Sequence, residues 1–436
     1  VKKVKLKKAI RQLTIIATPM ILGQIGQTLI GAGDVYVASL YSTQLVASIG
    51  VANGIFMPVL IIGLGLMMGV SPLLANHRGS GIETKGYLVS FIVYALVVGL
   101  GLMLVLLGLT RYVDNFGLDP ALVPSIKLYL SWIAWTIPFS LIFQGVKEYL
   151  QSFENVMFPN MLSIAAVFVN IVTNYFLVFG FGDVTGLGEL GLPIASIIIR
   201  ILLAIAIVLY AIPKEKWGRV SWTLNKEVAI FSYPIAIAFF LEVLAFCMVS
   251  ILSGKLGVVS AAANNIILTL GSALFMVPMS VASAVAVKVG NALGRLDQSE
   301  VAIYMRAALS LTLTYSIFSS SILAFLPQEL MSLFTDDVAV INLGVKVCYV
   351  AAIFQLVDCS QATFSGILRG LKETRSPSIM MFIAFWLLGI PYGIYLAFYR
   401  NYDIMGLWIG LALGLGIASV GLYFLVRRRF VKLFPN

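Results

Sequence analysis

Histidine occurs once in the 436 residues, at His77, and charged residues make up only 11% of the chain. One histidine excludes most zinc designs, which draw on several imidazoles or on thiols at set spacing; in the loop ANHRGSG, His77 reads as a surface residue. Cysteine is nearly as scarce. Cys247, Cys348 and Cys359 all fall inside apolar runs, an odd set without metal spacing, so they read as small core residues and leave the redox compartment open. No aspartate-rich metal motif of the kind a membrane prenyl transferase requires is present. The glycines of GLGLMMG, Gly63 to Gly69, miss the dinucleotide spacing and follow no strand, so they read as a packing stripe. The chain is therefore not expected to be an enzyme or to carry a cofactor. The shortage of charge excludes a soluble globular protein as well, since soluble domains carry about 25% charged residues.

What the chain has instead is apolar sequence: 60% hydrophobic residues and a mean hydropathy of +1.00. In hydrocarbon each unpaired backbone amide costs several kcal/mol, so only helices and closed barrels span, and long unbroken apolar runs are not the short alternating strands of a barrel. At about 20 residues per span, the runs predict twelve transmembrane helices: Leu13–Leu40, Leu45–Ala75, Leu88–Leu109, Leu128–Tyr149, Phe158–Gly180, Gly191–Ala211, Val228–Ser253, Val259–Val287, Ala302–Leu326, Leu343–Leu368, Ile379–Tyr399 and Ile404–Val426. Pro19, Pro58, Pro138, Pro234, Pro278 and Pro391 lie inside these spans, where each removes a backbone hydrogen bond and tends to bend its helix. Such bends serve as hinges in some membrane helices and as plain packing features in others.

A net charge of +10 would suit nucleic acid if the basic residues shared one soluble face, but here they sit between apolar spans, and no nucleic-acid partner is expected. Alternate gaps are basic. They hold Lys2, Lys3, Lys5, Lys7, Lys8 and Arg11; Arg78 and Lys85; Lys147; Lys214, Lys216, Arg219 and Lys226; Lys288, Arg295 and Arg306; Arg369, Lys372 and Arg375; and Arg427, Arg428, Arg429 and Lys432. The opposite gaps hold only Arg111, Lys127, Lys255, Lys346 and Arg400. The positive-inside rule then places both termini in the cytoplasm, which requires an even number of spans, in a plasma (inner) membrane. The start, VKKVKLKKAIRQ, reads as a cytoplasmic arm because the apolar run behind it is too long for a signal peptide and has no small-residue cleavage site.

The chain repeats itself. Pro19 of ATPMILGQIGQ aligns with Pro234 of SYPIAIAFFLE, and the same offset of 215 places Gly79 on Gly294 and Gly191 on Gly406, while Pro159 meets Pro377 at 218. The polar stretch around KEKWGRVSWTLNK separates the copies. This predicts an amino-terminal lobe over 1–212, an inter-lobe cytoplasmic loop over 213–227 and a carboxy-terminal lobe over 228–436. With six helices in each half, both halves start from the same side, so the repeat is parallel and its pseudo-two-fold axis runs along the membrane normal.

Nearly all of the 19 acidic residues lie in gaps or at span ends; Asp34, Glu242 and Asp358 lie within spans. A charge near the bilayer centre costs about 2.5–3.5 kcal/mol on insertion scales, so such a group faces a cavity, a partner or an ion. Glu242, in AIAFFLEVLAF, and Asp358, in AAIFQLVDCSQATF, have no lysine or arginine within a helical turn. A proton or a sodium ion is their natural neutraliser if the two helices face one cavity; a protonated acid bonded to a neighbouring helix is the structural alternative. Asp34, in GQTLIGAGDVYVASL, sits nearer the outer end of its span, and its glycines suit either an ion site or tight packing. Asn170 and Asn174 are spaced i, i+4 in VNIVTNYF and so share a helical face, as ion ligands or as interhelical hydrogen-bonders. Lys288, Arg295 and Arg200 read as span-end anchors or cavity neighbours without an assigned role.

With ATPMILGQIGQ leading to GAGD, YPIAIAFFLEV around Glu242, FMVPMSVASAVAVKVGNALG and VDCSQATFSGILRGLKETRSP, the chain resembles the multidrug and toxic compound extrusion (MATE) transporters, NorM branch, over almost its whole length. The resemblance implies two six-helix lobes around a central cavity. It also implies a cation or proton site of Asp34, Asn170, Asn174 and Ser196 in the amino lobe, and another of Glu242 and Asp358 in the carboxy lobe. The implied activity is export of bulky, often cationic organic compounds in exchange for Na⁺ or H⁺, by a monomer in the lipid bilayer. NorM-type members commonly carry a tyrosine one turn before the Asp358 equivalent; Phe354 stands there in this chain and offers no hydroxyl as a cation ligand. A lipid-linked saccharide flippase is the alternative, and it would call for a basic cavity where the in-span charges here are mainly acidic.

Overall fold

A computed structural model describes residues 5–84, 86–182, 184–214 and 218–435. Lys2, Lys3, Lys85 and Lys216 of the basic gaps, and part of the 213–227 loop, lie outside the described residues. The described chain is almost entirely helical. Its membrane-spanning helices are α1 (Leu6–Tyr41), α2 (Thr43–Gly79), α3 (Leu88–Thr110), α4 (Val123–Ile133 continued as Thr136–Ser152), α5 (Met157–Phe179), α6 (Gly188–Ala211), α7 (Trp222–Leu256), α8 (Val258–Gly294), α9 (Gln298–Phe325), α10 (Val338–Gly370), α11 (Arg375–Tyr399) and α12 (Asp403–Leu433). Eleven of these are single helices long and apolar enough to cross a membrane, and the bent pair of α4 supplies a twelfth span. Large apolar side chains such as Phe168, Leu209, Ile251 and Phe318 stand exposed on the spans. In water they would drive aggregation; in a bilayer they meet lipid. The protein is a multi-pass membrane protein.

Helix ends follow local chemistry. The Ser42 hydroxyl accepts the backbone N–H of Leu45 at 3.0 Å and starts α2. Asp297 and Asp337 do the same for α9 and α10, each carboxylate accepting first-turn amides that no helical carbonyl reaches.

Three spans depart from the uninterrupted helices expected. The second turns briefly at Met68–Gly69, between Thr43–Met67 and Val70–Gly79. The fourth breaks at Ala134–Trp135 with a 42° bend. Pro138 lies four residues beyond Ala134, so it has no N–H for that carbonyl and its ring crowds it. In α11, Ile383–Gly389 and Tyr395–Tyr399 are π-helical, and Pro391 likewise withholds the bond that Leu387 would accept. At Pro19, Pro58, Pro234 and Pro278 the helix continues through the proline.

The repeat appears in the element lengths. Helices α1 and α7 have 36 and 35 residues, and α2 and α8 have 37 each. A 37-residue helix rises about 55 Å, beyond the roughly 30 Å of hydrocarbon, so α2 and α8 tilt or project into water.

Two compact units form. One comprises Pro19–Leu74 and Glu83–Ala236; the other comprises the residues up to Thr18, Ala75–Ile82 and the chain from Ile237 onward. Unit limits thus fall inside α1 and α7, at Pro19 and just past Pro234, the prolines the repeat aligns. Each unit has its own apolar core, the first around Leu45, Phe91 and Ile137, the second around Val347, Phe385 and Trp408.

Within the second unit the last turns of α2 and α8 clasp each other. Asn76 Nδ2 donates to the carbonyl of Gly290 at 3.2 Å, and Asn291 Nδ2 donates to the carbonyl of Ala75 at 3.1 Å. Donors and acceptors both obey the offset of 215, so one bond is the repeat image of the other. A Cβ on Gly79 would fall inside 3.0 Å of the Asn291 carbonyl oxygen, and one on Gly294 inside 3.0 Å of that of Asn76. The backbones meet so closely that only glycine fits at either position, which is the physical reason the sequence repeat keeps both.

Candidate functional site

In the first unit, α1, α5 and α6 converge on Asp34. Its Oδ1 accepts from Asn174 Nδ2 at 2.7 Å and from Asn170 Nδ2 at 3.1 Å, and its Oδ2 accepts from Ser196 Oγ at 3.2 Å. The i, i+4 spacing in α5 thus brings both amides to one carboxylate. Asn170 and Asn174 are fully buried and Ser196 nearly so. Helix α1 reaches α5 because a Cβ at Gly26 would fall inside 3.0 Å of the Ser163 backbone; glycine lets the two backbones touch two turns before Asp34.

One oxygen in this cluster has no donor. Asn174 Nδ2 also faces Asn170 Oδ1 at 3.2 Å, which fixes the amide's orientation, and Asn174 Oδ1 is left buried and unsatisfied. Leaving such an acceptor dry costs about 1–3 kcal/mol. With the carboxylate it offers a hard, all-oxygen donor set of the kind small cations prefer.

A second polar layer lies beside the first. Arg200 Nη1 donates to Gln27 Oε1 at 2.7 Å, and Gln27 Nε2 donates to Ser163 Oγ at 3.2 Å. Arg200 is within electrostatic range of Asp34, and the buried Tyr129 of α4 is within range of both. Sequence reading gave Arg200, Gln27 and Tyr129 no role. The available signal was spacing: Arg200 follows Ser196 by one turn, and Gln27 precedes Asp34 by two.

The carboxy-terminal acids are arranged otherwise. Glu242 on α7 and Asp358 on α10, far apart in sequence, come within electrostatic range of each other. Neither carboxylate receives a hydrogen bond or an ion pair among the described residues. Aromatic rings lie one turn from each acid on its own helix. Phe354, one turn before Asp358, meets Phe246, one turn after Glu242, edge-on at 6.2 Å, and meets Trp408 at 5.4 Å. The two indole N–H groups nearby are committed, Trp386 to the Leu241 carbonyl and Trp408 to Asn264 Oδ1, each at 3.1 Å. Neither indole is therefore free to hold an ionised carboxylate, and a charge left here without a donor calls for a cation.

The same two-fold pattern appears in comparison with known proteins. A family model described as MatE matches residues 19–176 and again residues 234–395. The two matches begin 215 positions apart (234 − 19 = 215), the offset of the clasp and of the aligned prolines. The chain belongs to the MatE family. Solved structures of the same fold include the eukaryotic MATE transporter AtDTX14, 21% identical with a TM-score of 0.87 over 98% of both chains. The Vibrio cholerae MATE transporter VcmN in its bent form is 17% identical, with a TM-score of 0.86 over 98% of both chains. A MOP superfamily transporter from Pyrococcus furiosus, for which reversed polarity of the binding pocket suggests a different function, is 15% identical at a TM-score of 0.87, covering 100% of this chain and 98% of that one. These identities speak to fold, and the two repeated lobes of MATE transporters are that fold.

Proposed function

We propose that this MatE-family protein is a secondary antiporter that exports bulky, often cationic organic compounds in exchange for Na⁺ or H⁺, working by alternating access as a single chain in the plasma (inner) membrane with both termini cytoplasmic. The observation that carries the reading is Glu242 and Asp358, two acids on α7 and α10 within electrostatic range of each other that receive no donor and no counter-ion among the described residues. Such a pair takes up a proton or a metal cation and, when empty, attracts an organic one. Asp34, Asn170, Asn174 and Ser196 form the second ion-binding set, with the free Asn174 oxygen as a further ligand. Ion binding favours one arrangement of the protein and substrate the other, so each promotes release of its rival. A flippase for lipid-linked saccharides needs cationic groups to hold a pyrophosphate, and Glu242 and Asp358 carry the opposite sign.

The test is efflux of a fluorescent organic cation from proteoliposomes under separate sodium and proton gradients. Asp358→Asn and Glu242→Gln are each expected to abolish the response to the driving gradient. Unchanged ion-coupled efflux in both variants would refute the carboxy-lobe assignment. Gradient-independent flipping of a lipid-linked saccharide by the wild type would refute antiport.

A further inference from the structure

We infer that Arg200 is a resident cation that competes with incoming ions for Asp34, and so sets how tightly the amino-lobe site binds its ion. The inference rests on the reading of Asp34 as an ion site. Asp34 and Gln27 lie two turns apart on α1, Ser196 and Arg200 one turn apart on α6, and Ser163 and Asn170 two turns apart on α5. Three helices therefore present two polar layers in register. The first layer holds Asp34 with Ser196, Asn170 and Asn174. The second holds the Arg200 guanidinium on Gln27 Oε1, with Gln27 fixed by Ser163 Oγ.

Two consequences follow from charge. The layers together contain one carboxylate and one guanidinium, with the Tyr129 phenol as the further titratable group that faces them from α4, so the site is close to neutral before any ion arrives. Among the described residues Glu242 and Asp358 have no such internal partner. An external cation at Asp34 must displace or oppose a positive charge held on the same helix face one turn from Ser196, whereas one arriving at Glu242 and Asp358 meets two acids without a basic partner among the described residues. Gln27 then has a defined part: its carbonyl oxygen accepts the guanidinium and keeps it off the carboxylate. Arginine suits this task because it stays protonated and its planar fork of donors serves either an amide or a carboxylate acceptor. Arg200 and Gln27 are positioning residues here, acting on the ion through Asp34.

The experiment is direct ion binding to the purified full-length protein in a Glu242→Gln/Asp358→Asn background, which leaves the amino-lobe set as the site observed. Radioactive ²²Na⁺ binding and proton uptake, read with a pH indicator, are measured separately. Arg200→Gln is expected to tighten binding of whichever ion the background protein takes up by about tenfold or more. Gln27→Leu, which removes the acceptor that holds the guanidinium away, is expected to weaken it, and Arg200→Lys is expected to stay close to wild type. Opposite signs from two residues that bond each other are not what loss of a structural contact gives. Both effects are expected to vanish once Asp34→Asn is added. Equal binding in Arg200→Gln and its parent, with Asp34→Asn abolishing it, would overturn the role of Arg200 and leave the ion site standing. Undiminished binding in Asp34→Asn alone would overturn the ion site, and this inference with it. Should Arg200→Gln fail to fold, an unchanged or tightened Gln27→Leu protein overturns the inference by itself.

Discussion

Replacing Phe354 by tyrosine adds a single oxygen one helical turn from Asp358. Phe354 and Asp358 are four residues apart on α10 and therefore share a face, and the ring is only 5% exposed. Neither Asp358 nor Glu242 receives a hydrogen bond among the described residues. A phenolic hydroxyl that reaches the carboxylate makes a charge-assisted bond worth about 1.5–3 kcal/mol net, and it keeps the carboxylate in the form that binds a metal cation. At about 1.4 kcal/mol per factor of ten, sodium affinity at the carboxy-lobe pair should rise roughly tenfold at the low end of that range and more at the high end. A hydroxyl that missed Asp358 would instead be buried among Phe246 and Trp408 without a partner, at a cost of about 1–3 kcal/mol to stability. The assay is ²²Na⁺ binding and sodium-dependent thermal stabilisation in detergent, for wild type, Phe354→Tyr and Phe354→Tyr/Asp358→Asn. The expected pattern is a gain in the single variant that the second substitution removes. A tyrosine variant that binds sodium no better than wild type while melting lower would refute the picture of a carboxylate pair short of donors.

Three further outcomes follow from close approaches and orphaned atoms. Gly79→Ala and Gly294→Ala should each lower the melting temperature by similar amounts, through about 1–3 kcal/mol of overpacking, because the clasp is symmetric; Gly271→Ala, whose Cβ meets nothing within 4 Å, should be neutral, and equal melting of all three would refute the clasp. Gly26→Ala should push α1 from α5 and weaken ion binding in the Glu242→Gln/Asp358→Asn background by several-fold; unchanged binding there would show that the Ser163 contact does not hold Asp34 in place. Asn174→Leu removes both the 2.7 Å donor and the unsatisfied oxygen, so it should cut ion binding in the same background at least as severely as Ser196→Ala, and the reverse order would argue against Asn174 as a ligand.

Composition and periodicity determined more of this protein than any single residue did. Hydropathy alone located the spans, since a bilayer demands about 20 apolar residues wherever a helix crosses. The offset of 215 was legible from a few prolines and glycines, which stand where backbone geometry leaves no choice: Gly79 and Gly294 meet at a crossing too close for a Cβ. Asp34, Glu242 and Asp358 stood out because each is costly where it lies, and Asn170 with Asn174 because i, i+4 is a local rule. The break at Ala134 was within reach too, had Pro138 been read with its fourth preceding carbonyl rather than as one proline among six.

Only the tertiary structure decided who meets whom. That both asparagine amides turn to Asp34, that Arg200 rests on Gln27, and that Glu242 and Asp358 come within range of each other all depend on how each helix is rotated about its axis and where it crosses its neighbours. Those choices are made by the summed packing of many side chains on several helices, and each helix's own sequence is compatible with more than one of them. The local pattern therefore named the charges, and the packing of helices distant in sequence determined which charge has a partner built in and which must wait for one.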